Sequence, residues 1–158
     1  MGFANTWCID KDDRHSAMVS YAFDDYENWI YPYTYEVYVS QYAKLLTSWK
    51  KGVEILDEIK GNELIDQINL YAKVAYLHFE ADYLQTQYSY YKRDAKKYKN
   101  DIIPLIERAI VATKELMQLQ VKDSKIGYEA SNHYFYTVRT LKERLIDYNE
   151  LLKYFKNL

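Results

Sequence analysis

The chain has 158 residues, with 21 Lys+Arg against 23 Asp+Glu for a formal net charge of -2, a length that suits one ordinary domain. The two signs are interleaved and form no basic block, so nucleic acid is excluded as a first reading, and no window approaches the roughly 18 apolar residues of a membrane span. Tyr alone supplies 19 residues, more than a small core needs, so some rings are expected at a surface covered by a sugar, another domain or a protein partner.

The first 33 residues read as an irregular, aromatic-rich arm docked on the rest, with one short helical turn. Its acids are Asp10, Asp12, Asp13, Asp24 and Asp25, its rings Trp7, Tyr21, Phe23, Tyr26, Trp29 and Tyr31, and Pro32 ends it. Cys8 is the only cysteine, so no internal disulfide is expected and neither redox compartment is excluded. No apolar run of signal-peptide length opens the chain. The residues after Met1 and Gly2 read as the interior of a polypeptide, which is the expectation for a piece of a longer protein; the compartment stays open.

A helix is predicted from Thr34, an N-cap with Glu36 in the first turn. Tyr38, Tyr42, Leu45, Trp49, Val53 and Leu56 recur at four, three, four, four and three residues, which is one helical face. Gly61 is expected to close this helix in a left-handed conformation. A second helix, about Glu63 to Arg93, carries two apolar stripes. Leu64, Ile68, Tyr71 and Ala75 form one, and Leu70, Val74, Leu77, Ala81, Leu84, Tyr88 and Tyr91 the other, a breadth that predicts a central helix packed on both sides.

The third helix is expected to start near Asn100 or Asp101, with Pro104 in its first turn and Ile102, Ile106, Ala109, Thr113 and Leu116 inward; an earlier start predicts a kink at Pro104. The last runs from Thr137 as N-cap to Phe155 through Leu141, Leu145, Tyr148 and Leu152. No alternation of strand length occurs. The fold class is therefore all-α: one domain over 1-158, with a docked arm at 1-33 and an antiparallel bundle of about four principal helices at 34-158. Tyr38, Tyr42, Trp49, Tyr71 and Tyr148 are expected as core rings.

Candidate chemistry is sparse. Glu129 and His133 are four residues apart, a spacing that puts both on one helix face, but no second such pair exists, so neither a metal nor a cofactor is expected. His78 reads as a hydrogen-bonded histidine of the bundle and His15 as a solvated loop residue. Asp24 and Asp25 are adjacent and point apart in most backbone conformations, a poor arrangement for the two acids of glycoside hydrolysis. Nucleophile signatures and phosphate loops are absent. Rings outside the helix stripes, Trp29, Tyr31, Tyr33, Tyr128, Tyr134 and Tyr136, are divided evenly between core and contact surface.

The remaining signal is the string "IGYEASNHYFYT" at 126 to 137, where Gly127 permits a turn and Tyr128, Glu129, Asn132, His133 and Tyr134 cluster. With "AYLHFEADYLQTQYSYYKRD" and "DRHSAMVSYAFDDYENWIYPYTYEVYVSQYAKLLTSWKKG", it resembles the helical C-terminal region of large bacterial proteins related to glycoside hydrolases. The resemblance implies a non-catalytic accessory domain beside the catalytic domain of a parent protein, with Trp29, Tyr31, Tyr128, Glu129, Asn132, His133 and Tyr134 as binding or interface candidates and carbohydrate as a further partner. The chain has no strand and helix alternation from which to build a barrel, so catalysis does not carry over. A stand-alone interaction or oligomerisation module and a small enzyme are the alternatives.

Overall fold

The structure is a computed structural model that describes residues 7–9, 25–123, 125–129, 134–135 and 137–158. Its helices are α1 (Glu27–Ile30), α2 (Tyr35–Glu58), α3 (Glu63–Tyr91), α4 (Ala95–Gln120) and α5 (Val138–Asn157), with a 3-10 turn at Lys92–Asp94. Two-residue strands β1 (Tyr128–Glu129) and β2 (Tyr134–Phe135) pair antiparallel between α4 and α5, Tyr128 opposite Phe135 and Glu129 opposite Tyr134. The class is all-helical apart from this small ladder, which is too short to leave an alternating pattern in the sequence.

Local chemistry sets the helix ends. The Thr34 hydroxyl accepts from the Val37 N–H, the Asn62 side-chain Oδ1 from those of Leu64 and Ile65, the Asp94 carboxylate from Lys97 and the Thr137 hydroxyl from Thr140, each relieving an amide that the first turn leaves unpaired. Gly61 is left-handed, at φ 74°, but α2 stops earlier, where Ile59 turns extended; the glycine shapes the interhelix turn.

The third long helix starts earlier than the sequence suggests. Asp94 caps it, and its backbone leaves helical geometry at Tyr98, with φ -101° and ψ 15°. The break falls six residues before Pro104 rather than at it. Regular helix resumes at Lys99, so the proline, which has no N–H and crowds the preceding turn, sits near the start of the regular run.

Three helices hold the core. One cluster joins Leu84 and Tyr88 of α3, Ile102, Ile106 and Ala109 of α4, and Tyr148, Leu151 and Phe155 of α5; a second joins Val74, Leu77 and Ala81 to Ala112, Leu116, Leu141 and Ile126. Each buried side chain of this size contributes about 1.5–3 kcal/mol. The α4 stripe expected from the sequence is buried throughout. On α5 the buried row is Leu141, Arg144, Tyr148, Leu151 and Phe155, so Arg144 and Leu151 take places read as Leu145 and Leu152, which are half-buried.

The first long helix, α2, is not a bundle member in the same sense. Extensive contact joins α2 to α3, α3 to α4 and α4 to α5, and α2 buries no residue completely. Tyr38, Tyr42, Leu45, Trp49, Val53 and Leu56 do face α3, but each stays half-buried. The expected bundle of about four principal helices takes the form of a three-helix core with an outer helix laid against α3. Tyr71, expected inside, is exposed and its hydroxyl donates to Asp123.

Candidate functional site

The N-terminal arm reaches the core at two described points. Trp7 is buried, stacked on Tyr88 with centroids 4.5 Å apart and edge-on to Tyr148 at 5.0 Å. The Tyr88 hydroxyl donates to the Cys8 carbonyl at 2.7 Å. Residues 25 to 33 then lie along the C-terminal half of α3. The Tyr26 N–H donates to Ser89 Oγ at 2.9 Å and Trp29 Nε1 to Thr86 Oγ1 at 3.1 Å. Among the described residues, 7–9 and 25–33 thus contact the helices at these two places.

This docking builds a ring cluster at one end of the α2–α3 hairpin. Tyr35 and Tyr90 stack at 3.8 Å with an 11° interplanar angle, and Tyr26 meets both edge-on at 5.6 Å. Burial pushes the phenols of Tyr26 and Tyr35 above their usual range. Arg93 lies 4.4 Å over the Tyr26 ring and pairs with Glu27 at 2.7 Å and Asp25 at 2.8 Å. The hydrogen bond from Arg93 holds the Glu27 carboxyl below its usual value. An open groove of about 390 Å³ runs over the cluster, lined by Tyr26, Glu27, Ile30, Tyr31, Tyr33, Tyr35, Glu36 and Tyr90.

Of the sequence candidates, Trp29 and Tyr31 fall here and separate into two roles. Trp29 is half-buried and spends its N–H on Thr86, so it anchors the arm, while Tyr31 is 87% exposed and stands over the groove. Tyr128, Glu129 and Tyr134 are on the β1–β2 ladder, which Gly127 enters with φ 92°, the left-handed conformation that favours glycine. Asn132 and His133 lie outside the described residues, as do Tyr136, His15 and Asp24. The ladder follows Ile126, which packs near Val74 and Leu77 of α3, whereas the ring groove lies at Tyr90; along α3 the separation is about 20 Å at the helical rise per residue. The two groups are not brought together.

A second concavity, of about 360 Å³, opens where α2 diverges from α4, lined by Lys50, Val53, Glu54, Asp57, Lys73, Tyr76, Leu77, Glu115, Gln118 and Leu119. Two ion-paired groups lie at or beside it. Lys73 pairs with Asp57 at 2.5 Å, and this bond, with that from Asn69, holds the Asp57 carboxyl below its usual value. Arg108 forks onto Glu80 through Nε at 2.9 Å and Nη2 at 2.5 Å, and reaches Glu115 at 3.1 Å. Such planar pairing fixes α3 to α4. Glu80 and Glu115 share a cation and present no acid and base pair across an open space. Among the described residues no three His, Cys, Asp or Glu side chains converge as metal ligands.

His78 of α3 is part-buried, and burial lowers its pKa to about 4 despite the opposing field of Asp82. It is neutral at pH 7. Sequence reasoning missed Tyr26, Tyr35, Glu36 and Tyr90 as groove residues. The adjacent rings in "YPYTYE" and the run "YSYY" were visible, but their pairing depends on the α2–α3 register. No helix among the described residues is long and apolar enough to cross a membrane. No protein-family model, curated protein or solved structure matches the chain.

Proposed function

We propose that the chain is a non-catalytic helical accessory domain of a carbohydrate-active protein, and that the open side of its α2–α3 hairpin packs against the catalytic domain of the parent. One observation carries this reading. Ile55 and Ile59 near the end of α2 are 62% and 42% exposed, and Leu64, Ile68 and Tyr71 at the start of α3 are 64%, 44% and 37% exposed. A rotation of 100° per residue puts Ile55 and Ile59 opposite the cleft-lining Lys50, Glu54 and Asp57, on the side shared with the Leu64, Ile68 and Tyr71 row. Scattered exposed apolar residues are ordinary, but five on one side of one hairpin form a patch of the kind that marks an interface.

The α3 row itself supports the same conclusion. Its face continues towards the C-terminus through Thr86 and Ser89, where the arm covers it with Tyr26 and Trp29. The N-terminal half of the face has the same need and no cover among the described residues. A single helix that packs on one neighbour and leaves its flank apolar is suited to receiving a second surface.

Coexpression of the chain with the remainder of its parent protein tests the proposal. Copurification that is lost in an Ile55→Glu, Ile68→Glu double variant of unchanged helicity is the expected outcome. A wild-type chain that stays monomeric by sedimentation and fails to copurify would overturn it. A concentration-dependent dimer dispersed by the same double variant would move the reading to an oligomerisation module.

A further inference from the structure

We propose that the ring groove formed by α1, the start of α2 and the end of α3 is a binding subsite for a neutral glycan chain, with Tyr31 and Tyr33 as its ring platforms and Glu36 as its hydroxyl acceptor. The groove lies at the opposite end of the α2–α3 hairpin from the apolar patch, about 30 Å away along α2, and the inference does not depend on the docking proposal.

The floor of the groove is built. Tyr35 and Tyr90 hold each other face to face and Tyr26 braces both by its edge, so none of the three is free to collapse into the opening. Tyr26 is tied to α3 through Ser89, and the Tyr33 N–H donates to the Ile30 carbonyl at 2.8 Å, which closes the turn that carries the two outer rings. Tyr31 and Tyr33 stand above this floor 87% and 60% exposed. Their faces contribute nothing to the core, and an amphipathic ring presented on a fixed turn offers a flat apolar face with a hydroxyl at its edge.

Charge selects the ligand. Glu27 and Asp25 both pair with Arg93, which supplies one positive charge for the two carboxylates, and Arg93 in turn occupies the Tyr26 face that a bound cation would use. The groove offers ring surface, tyrosine hydroxyls and the exposed carboxylate of Glu36, beside an acid-rich rim in which Arg93 offsets one of two carboxylates. A polyanionic chain meets Glu36 with repulsion and has no unmatched cation to gain. A quaternary ammonium group finds negative charge at the rim but lacks a closed cage of ring faces, since Arg93 already lies over Tyr26. A neutral pyranose chain fits: its C–H faces cover the two rings and its hydroxyls donate to the carboxylate, in an open groove whose volume lies within the usual range for small-ligand sites.

Affinity electrophoresis of the whole chain through gels that contain glucomannan, xylan or β-glucan tests this, with polygalacturonate as the charged control. Retardation by at least one neutral polysaccharide is expected, and none by polygalacturonate. The Tyr31→Ala, Tyr33→Ala double variant should weaken binding by roughly 10-fold or more, since rings that anchor a ligand dominate its affinity. Both side chains are exposed, so its far-ultraviolet spectrum should match the wild type. Glu36→Gln, which keeps the ring platform, should cost roughly 3-fold or more through one weakened charge-assisted hydrogen bond. Absence of retardation in every neutral gel, or retardation that survives both variants, would overturn the proposal, as would preferential binding of a decaproline peptide or of tetramethylammonium in a fluorescence titration. Loss of glycan binding with intact parent copurification sinks this site alone, and the reverse result sinks only the docking surface.

Discussion

Helices α2 and α5 are both long, both amphipathic, and both capped by a threonine whose hydroxyl accepts from the amide three residues on. They end in different environments. Five residues of α5 are buried, including Leu141 and Phe155 at 0% exposure, whereas α2, four residues longer, buries none. The difference lies in what surrounds the stripe. Phe155 and Tyr148 meet α4 on one side and the rings of Trp7 and Tyr88 on another. Among the described residues the α2 stripe meets chiefly α3, through contacts such as Trp49 edge-on to Phe79 and its Nε1 donating to the Ala72 carbonyl at 2.8 Å. Periodicity establishes that a helix has an apolar face; it does not establish how many surfaces cover that face.

The largest test of this contrast compares truncations on the two helices. Phe155→Ala should destabilise the chain by about 3–5 kcal/mol, the usual cost of emptying a fully buried aromatic site, while Leu45→Ala on α2 should cost about 1 kcal/mol because the site is already half open. Urea denaturation of both variants measures the two costs. Equal losses would break the comparison and give α2 a structural weight that its packing does not explain.

Acid should act next, through α3, the helix that both halves share. The folded pKa of His78 is about 4, below the ordinary 6.5 of an unfolded histidine. Between these values the unfolded chain binds a proton that the folded chain refuses, so stability is full above about pH 6.5 and falls as pH drops to about 4. The loss from this group is on the order of 3 kcal/mol. His78→Gln should flatten that part of the profile, and an unchanged slope in the variant would assign the acid sensitivity to other groups.

The fork of Arg108 onto Glu80 sets a third test, confined to the α3–α4 side. Arg108→Met leaves Glu80, only 9% exposed, without its bidentate partner. The expected loss is about 1–3 kcal/mol, below that of a fully buried pair because water reaches the arginine. An Arg108→Met, Glu80→Gln double variant should recover part of it, since the stranded charge is gone. The same thermal melts that rank the single variants measure the recovery.

Much of this architecture is legible in the residues. The helix starts at Thr34 and Thr137, the inward row of α4 and the facing row of α2 all follow from spacing and capping. What escaped has a common cause. The start of α4 at Asp94 was hidden because "KRDAKKYKN" is made of good helix formers, and only the three-dimensional turn shows which aspartate caps. The exposure of Leu64, Ile68 and Tyr71 depends on how far along α3 the contacts made by Tyr26 and Trp29 extend, which spacing alone does not set. The ring groove combines Tyr31, Tyr35 and Tyr90 across 59 residues of sequence, a pairing set by the antiparallel register of α2 on α3. The candidates at 128 to 134 were chosen on local composition, and the structure gives Tyr128, Glu129 and Tyr134 a place on a small ladder remote from the groove.

The smallest expected effect is the most discriminating for the open side. Ile55→Glu alters a residue that is 62% exposed on α2, where the helix ends three residues later. Glutamate is as good a helix former as isoleucine or better, and at an exposed site outside any cavity or buried pair the main cost is a carboxylate in the last turn facing the helix dipole, so the response should stay within about 1 kcal/mol. The isolated chain should therefore melt within that margin of the wild type, and its solubility should rise as the apolar patch is broken. A core stripe would answer differently, because a carboxylate placed where Leu141 sits would be buried without a partner and would cost several kcal/mol at least. Measured together, Ile55→Glu and Leu141→Glu bracket the contrast between the two helices. If Ile55→Glu proved as damaging as Leu141→Glu, the α2 flank would have to be covered within the chain itself, and the surface offered to a partner would not exist.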